Sequence, residues 1–409
     1  MKIVDRILLA SEKSSYDKIL NRYKFSSRLA KVSRISRDAT RLGLELSERE
    51  LLAEKIVKEP ARNALSSFLL VKGYKNRRWL ENNTKKTVSI KRFLVIGAGT
   101  MGKGISYLIS SCLRDVSVAI REKDKIKLRN AKKDIERTYK DAVKRGFFYP
   151  DEARAGLNRI SFSDRALGDK DLVVESVTED SSIKKAVFKS IEKELSGDSI
   201  VATNTSCISI RELSESFECP ERFLGVHFFN PAYKMKLVEV VPSEKTSKDV
   251  LMTVLGFLRG LKRVPIVVKD SPGFLVNRML LPYLNEAVFM LNEGFRRDAI
   301  EDAMLKFGMP IGPIGLIENI GPDVAYKAAK ILEDNFGTRM KVPGRLKKRY
   351  DKGKRYCSQY EDIVERLLKP MRREARLCLE EGIVESHEAI DLALLLGVGF
   401  PNCKRIWKN

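Results

Sequence analysis

An α/β chain whose C-terminal part turns all-helical is the fold this sequence predicts, and three observations carry it. Residues 93–106, FLVIGAGTMGKGIS, end an apolar run in Gly97, Gly99 and Gly102 with the spacing G-x-G-x-x-G. From there to about residue 270, short apolar runs alternate with helical stretches, the pattern of a doubly wound sheet. Beyond Asp270 the pattern is helical and repeats itself, because residues 277–294 align without gaps on 365–382 with eight of eighteen identities.

The glycine-rich stretch is read as a nucleotide site. Gly97 permits a tight turn, Gly99 lets backbone approach a pyrophosphate, and Gly102 allows close helix-to-strand packing. Thr100 and Met101 then open the helix whose N-terminus receives the phosphates. A second apolar run, 116–120, leads to Glu122, where the second strand of a Rossmann-type domain puts an acid on the adenosine ribose. That carboxylate would repel a ribose 2′-phosphate, which favours NAD over NADP, although Arg121 lies beside it.

In chain order, residues 1–88 precede the first strand of this domain and are expected to form a helical extension. Ser47 with Glu50 has the pattern of a capping box, and Ala61, Ala64, Leu65, Phe68 and Leu69 recur at helical spacing up to Gly73. The polar segment 81–87 reads as a linker. After Glu122 comes a long charged helix over 123–145, and further buried strands are expected at 171–174, 199–202, 223–229, 237–241 and 264–268. The expected division is therefore 1–88, an NAD-binding domain at 89–269, and an all-α domain at 270–409 with tandem units at about 270–338 and 360–409. Between the two units, residues 339–355 are strongly basic and read as a surface loop.

The chain has 409 residues and a net charge of +23. Residues 1–90 hold 21 Lys and Arg against 10 Asp and Glu, spread rather than clustered, so the excess reads as a solvated surface. Nothing resembles a zinc finger or an RNA-binding aromatic motif, and nucleic acid is not the expected partner. A positive field of this kind favours polyanionic small ligands such as NAD and coenzyme A. The six cysteines form no C-x-x-C pair and have no histidines at zinc spacing, so neither a metal nor a disulfide is expected. No membrane span is apparent, Asp5 and Arg6 interrupt the short apolar N-terminus, and a cytoplasmic protein is expected.

His227 ends one apolar run and Glu239 lies inside another, KLVEVV. A loop through Asn230 and Pro231 brings the two runs side by side if they pair. An ionised Glu among valines is costly unless partnered, and His227 is the candidate partner. A carboxylate on one imidazole nitrogen raises basicity at the other, as suits a base that takes a hydroxyl proton during hydride transfer. Spacing alone leaves open a structural histidine beside an edge-strand glutamate. Ser206, in NTS, and Asn277, in DSPGFLVNR, offer polar groups for substrate oxygens or, equally, for capping and turns. Cys207 reads as packing rather than a nucleophile, and His387 as exposed and inert.

In this order, GAGTMGKGI, DLVVESVTED, NTS, GVHFFNPAYKMKLVEVV and DSPGFLVNRMLLPYLNEA resemble the 3-hydroxyacyl-CoA dehydrogenase family over about residues 90–320. The tandem helical units resemble the bifunctional fatty-acid oxidation enzymes, in which a hydratase domain precedes the dehydrogenase; residues 40–80 resemble their linker, without the hydratase domain. The resemblance implies NAD-dependent oxidation of (S)-3-hydroxyacyl-CoA to 3-oxoacyl-CoA in fatty-acid β-oxidation. It implies that His227 is the general base, that Glu239 orients it, and that Ser206 and Asn277 hold the 3-oxygen. It also implies that Glu179, Lys184, Ser206 and Asn230 line the nicotinamide end of the cofactor site, and that Thr138 and Arg145 contact coenzyme A. Two rivals stand beside this reading: a related dehydrogenase of free hydroxy acids, and a scaffold subunit docking a separate enoyl-CoA hydratase or thiolase. Two segments depart from the family pattern, RLKKRYDKGKRY in place of a glycine-rich stretch and the C-terminal GFPNCKRIWKN.

Overall fold

The structure, a computed structural model, describes residues 71, 88–165, 168–344, 360–401 and 406–407. The helical extension, the linker and most of the basic segment 339–355 lie outside the described residues. By its contacts the chain divides into two units, and everything below lies in the one spanning Arg77–Phe400.

Eight strands form one sheet: β1 (Arg92–Ile96), β2 (Ser117–Arg121), β3 (Ile160–Ser163), β4 (Leu172–Glu175), β5 (Ile200–Thr203), β6 (Phe223–Phe228), β7 (Leu237–Pro242) and β8 (Val264–Val267). Their order is β3-β2-β1-β4-β5-β6-β7-β8. All neighbours are parallel except β6 and β7. Six helices connect them, α1 (Thr100–Cys112), α2 (Lys125–Lys144), α3 (Pro150–Asn158), α4 (Ser181–Glu192), α5 (Ile210–Ser214) and α6 (Lys248–Gly260).

The apolar runs are continuous because the central strands are buried on both faces. Phe93 and Val95 of β1 share a core with Ile105 and Leu108 of α1, Ile135 of α2 and Leu258 of α6. Leu94 points to the opposite face and is 3% exposed. There Phe188 of α4 packs edge-to-face on Phe223 of β6, with ring centroids 5.0 Å apart. Each such side chain contributes about 1.5–3 kcal/mol by leaving water. Helix α2 begins at Asp124, whose carboxylate accepts from the Ile126 and Lys127 N–H groups, and it buries Ala131, Ile135, Tyr139 and Ala142 along one stripe. Strand β3 has no apolar run to announce it. Its sequence ISFS buries only Ile160, as an edge strand with one covered face requires.

The strand order reverses between β1 and β4: the chain builds outward through β2 and β3, then returns to the other side of β1. A crevice opens at the carboxyl ends of strands flanking such a switch point.

The helical part comprises α7 (Val276–Glu293), α8 (Arg297–Phe307), α9 (Pro313–Ile320), α10 (Pro322–Phe336), α11 (Tyr360–Glu380) and α12 (His387–Gly397). The repeated stretches are α7 and α11, each with a proline inside, Pro282 and Pro370. They pack antiparallel and exchange ion pairs reciprocally. Arg278 of α7 meets Glu374 and Glu381 of the second copy at 3.4 and 2.7 Å, while Arg366 of α11 meets Glu286 and Glu293 of the first at 2.7 and 2.6 Å. Arg and both glutamates are among the residues shared by the two copies, so the repeat keeps what each copy needs to bind the other. Arg339, assigned from sequence to a basic surface loop, instead lies 3.6 Å from both Glu374 and Glu381. Its half-buried guanidinium stacks on Phe336, and its charge is offset by these glutamates.

Candidate active site

The turn after β1 forms the cradle that a dinucleotide requires. Gly97 has φ +102, and a Cβ there would stand 2.5 Å from the Ser176 carbonyl oxygen at the end of β4. A Cβ on Gly102 would stand 2.0 Å from the Gly97 carbonyl oxygen, which is how closely α1 is set against the turn. Gly99 has nothing within 4 Å and leaves its backbone open to a ligand. A cleft of about 830 Å³ opens here, with Gly97, Gly99, Thr100 and Met101 on its wall.

Glu122 lies in the same cleft. Its carboxylate accepts from Ala98 N–H at 3.2 Å and from Asp124 N–H at 3.1 Å, which holds it across from the glycine turn. Arg121, the residue able to offset Glu122, is committed elsewhere: it bonds both oxygens of Glu194, at 2.7 and 3.1 Å. Glu122 is placed to accept ribose hydroxyls. Lys123 and Lys127 from the start of α2, and Lys327 from α10, also line the cleft. Their charge suits a pyrophosphate.

Further along the cleft the loops after β4 and β5 are tied together by Glu179. One of its oxygens accepts from Thr205 Oγ1, Ser206 N–H and Cys207 N–H at 2.6, 2.7 and 3.1 Å. Lys184 does not line the cleft. It is 1% exposed, and its Nζ donates to both oxygens of Glu175 at 2.8 and 3.0 Å, with Glu179 Oε2 at 3.5 Å. Thr203 Oγ1 and Val177 N–H complete the shell around Glu175 at 2.6 Å each. A buried charge persists only when so enclosed. Lys184 therefore sits beneath the loops that form the cleft wall, and the sequence reading of Lys184 as a lining residue is corrected to that extent.

His227 and Glu239 stand directly opposite each other in the antiparallel β6–β7 pair. Nδ1 of His227 lies 2.7 Å from Glu239 Oε2. The glutamate is fully buried and sits between β6 and β8, not on an edge. Its second oxygen accepts from Leu275 N–H at 3.1 Å and Val276 N–H at 2.9 Å, where α7 begins. Two N–H groups without intrahelical partners at a helix N-terminus favour an anion, and the other oxygen of the same carboxylate faces the imidazole. With Nδ1–H donated to Glu239, Nε2 is the nitrogen left to take a proton.

Asn277, in the first turn of α7, donates from Nδ2 to the Ser206 carbonyl at 3.3 Å. Asn204 Oδ1 accepts from Phe228 N–H at 2.9 Å, beside His227. The 204–207 loop is thus pinned to Glu179, to β6 and to α7; Ser206 lines the cleft, and Asn277 directly follows Val276, whose N–H meets Glu239. Asn204 carries as much of this positioning as Ser206, and only its place after a strand could have signalled it. Burial raises the Cys207 thiol far above its ordinary range, in keeping with packing. Asn230 is exposed in the loop after β6, before the cis Asn230–Pro231 bond, and does not line the cleft. Thr138 bonds back to the Asp134 carbonyl within α2, at 2.8 Å, and Arg145 caps that helix, exposed. His387 is exposed at the start of α12.

Residues 92–271 match the model of the 3-hydroxyacyl-CoA dehydrogenase NAD binding domain, and 273–358 match the C-terminal domain of the same family. The chain belongs to the 3-hydroxyacyl-CoA dehydrogenase family. Its Rossmann-type domain is an NAD-binding one. The chain is 34% identical over 349 residues to the fatty acid oxidation complex subunit alpha of Shewanella loihica, covering 76% of this chain and 49% of that protein. It spans about half the length of the curated relatives it matches. Among solved structures, the (S)-3-hydroxybutyryl-CoA dehydrogenase PaaH1 of Ralstonia eutropha is 31% identical, with a TM-score of 0.58, covering 62% of this chain and 90% of that one. The 3-hydroxybutyryl-CoA dehydrogenase of Escherichia coli K12, 23% identical with a TM-score of 0.68 over 77% of this chain and 90% of that one, shares the fold. No helix among the described residues is long and apolar enough to cross a membrane.

Proposed function

We propose that the chain carries an NAD-dependent dehydrogenase that converts (S)-3-hydroxyacyl-CoA to 3-oxoacyl-CoA, reversibly, within fatty-acid β-oxidation. The observation that carries this reading is the buried His227–Glu239 pair at 2.7 Å, joined through the 204–207 loop to the wall of the cofactor cleft. His227 Nε2 takes the hydroxyl proton of the substrate, and Glu239 stabilises the imidazolium that results. Ser206 and Asn277 orient the 3-oxygen. Gly97, Gly99, Thr100, Met101, Gly102 and Glu122 hold the cofactor, and Glu179 shapes its nicotinamide end, braced by Lys184. When bound, NAD supplies the hydride acceptor. Asn230, Thr138 and Arg145 remain family-based assignments to cofactor or coenzyme A.

The reading divides the described chain near residue 270, in keeping with the boundary between the two family models at 271 and 273. Relatives named as subunits of a fatty acid oxidation complex support association with a separate hydratase or thiolase, and a cytoplasmic location follows from the same assignment. The test is acetoacetyl-CoA-dependent oxidation of NADH, with NADPH in parallel. Turnover with NADH and little with NADPH is expected. No turnover by folded protein that binds NADH would overturn the assignment of activity, and equal use of NADPH would overturn the role of Glu122.

A further inference from the structure

Arg278 links the second helical copy to the turn that holds Glu239, beside the direct packing of α12 on Leu237 and Val276. Arg278 follows Asn277 in the first turn of α7 and is fully buried. Nη1 donates to Ser271 Oγ at 3.2 Å and Nη2 to Glu381 Oε1 at 2.7 Å. Glu374 Oε2 lies 3.4 Å from Nε, and the guanidinium stacks 4.7 Å from the Phe336 ring centroid. Ser271 opens a turn in which Gly273 and Phe274 are both left-handed, with φ 74 and 50. A phenylalanine in that region persists only where its surroundings hold it there. This same turn presents Leu275 N–H and Val276 N–H to Glu239. The second copy also touches the neighbouring sheet: Lys269 N–H donates to the Ile383 carbonyl at 2.9 Å.

We propose that Arg278, clamped by Glu374 and Glu381, is a positioning residue for the His227–Glu239 pair, holding the 271–276 turn so that two backbone N–H groups aim at Glu239. In its catalytic consequence this deepens the function proposed above. Removing the clamp lets the turn relax, Glu239 loses its anchor, and the imidazolium loses a well-placed counter-charge. Among the described residues, the titratable neighbours of Glu239 are His227 on β6, the buried thiol of Cys207 after β5 and that of Cys378 on α11. The Phe229 and Phe274 rings lie 4.5 and 5.9 Å from the imidazole.

The repeat supplies an internal control. Arg366 makes the matching bridge to Glu286 and Glu293, toward the opposite end of α7 and away from the turn. The experiment uses the full chain labelled at its two histidines, with His387→Gln to assign the His227 signal, and compares Arg278→Met, Arg278→Lys and Arg366→Met. In the Arg278→Met protein the His227 signal should titrate at lower pH than in the wild type, because its carboxylate partner is less well placed. The variant's kcat should fall by about tenfold or more at unchanged KM for NADH, since small misplacements of a reacting group are costly. Arg278→Lys should recover part of both, and Arg366→Met should lower the melting temperature while leaving the His227 midpoint in place. A folded Arg278→Met protein with an unmoved midpoint, or an equal shift in Arg366→Met, would overturn the proposal. If Arg278→Met does not fold, Glu374→Gln is read the same way, with a smaller shift in the same direction expected and no shift counting against. The His227 midpoint needs no substrate, so absence of turnover in the wild type would end the proposed activity and still leave this inference decided.

Discussion

Gly102 has no room for a side chain in the cofactor cradle. A methyl group at this position would stand only 2.0 Å from the Gly97 carbonyl oxygen, so any Cβ there pushes α1 off the turn it caps. We expect Gly102→Ala to cost about 1–3 kcal/mol, the usual penalty of overpacking, and to weaken NADH binding; an unchanged thermal melt and an unchanged NADH titration would refute this. His227 is constrained chemically instead. Replacing it by Gln keeps a hydrogen-bonding group beside Glu239 and removes the base, so kcat should fall at least about a hundredfold while NADH binding is retained. Near-normal turnover, measured by nicotinamide absorbance, would remove His227 from the role of base. Both residues were legible from sequence, one through glycine spacing and one through a histidine closing an apolar run. Lys184 was not. The family resemblance put it on the cofactor site, and only the fold shows it turned inward onto Glu175.

Among elements, the α7–α11 pair joins the two copies through its reciprocal ion pairs, which make it sensitive to acid. Hydrogen bonds from Arg278 hold the Glu381 carboxyl below the ordinary range, and those from Arg366 do the same for Glu293. In the unfolded chain these groups titrate near about 4.3. Their folded values are depressed, so their stabilisation is present above that value and is lost as pH falls through the folded ones. Urea melts near pH 6 and between pH 4 and pH 3 should show that loss, and Arg366→Met should show less of it. A stability that does not change across this window would contradict the role given to these pairs. The repeat was visible in sequence as shared Arg and Glu positions. What they do was not visible, because the partners of the arginines lie 73 to 103 residues away.

On the scale of the whole molecule, the net charge of +23 finds its local expression where Lys123, Lys127 and Lys327 line the cofactor cleft. Interactions of exposed charges with a polyanion weaken as the Debye length shrinks from about 30 Å at 0.01 M salt to about 3 Å at 1 M. The Kd for NADH should therefore rise several-fold across that range, and Lys327→Ala should flatten the dependence. Salt-independent binding would show that the field plays no part in cofactor capture. Lys327 comes from a helix of the C-terminal part, so both parts of the chain contribute to the wall of the cleft.

By itself the sequence determined the local matters: where most strands begin and end, which turn needs glycine, and that His227 and Glu239 are candidates for one another. These follow from short-range sterics and from the period of apolar residues, which a chain carries wherever it folds. Edge strand β3 escaped because one buried residue makes no period. Tertiary structure alone decided that β6 and β7 run antiparallel with His227 opposite Glu239, that the second oxygen of Glu239 rests on the start of α7, and that Arg278 ties that turn to the second copy. Each of these depends on groups distant in sequence whose polar atoms, once buried, must find partners, and the partner is set by the fold rather than by spacing.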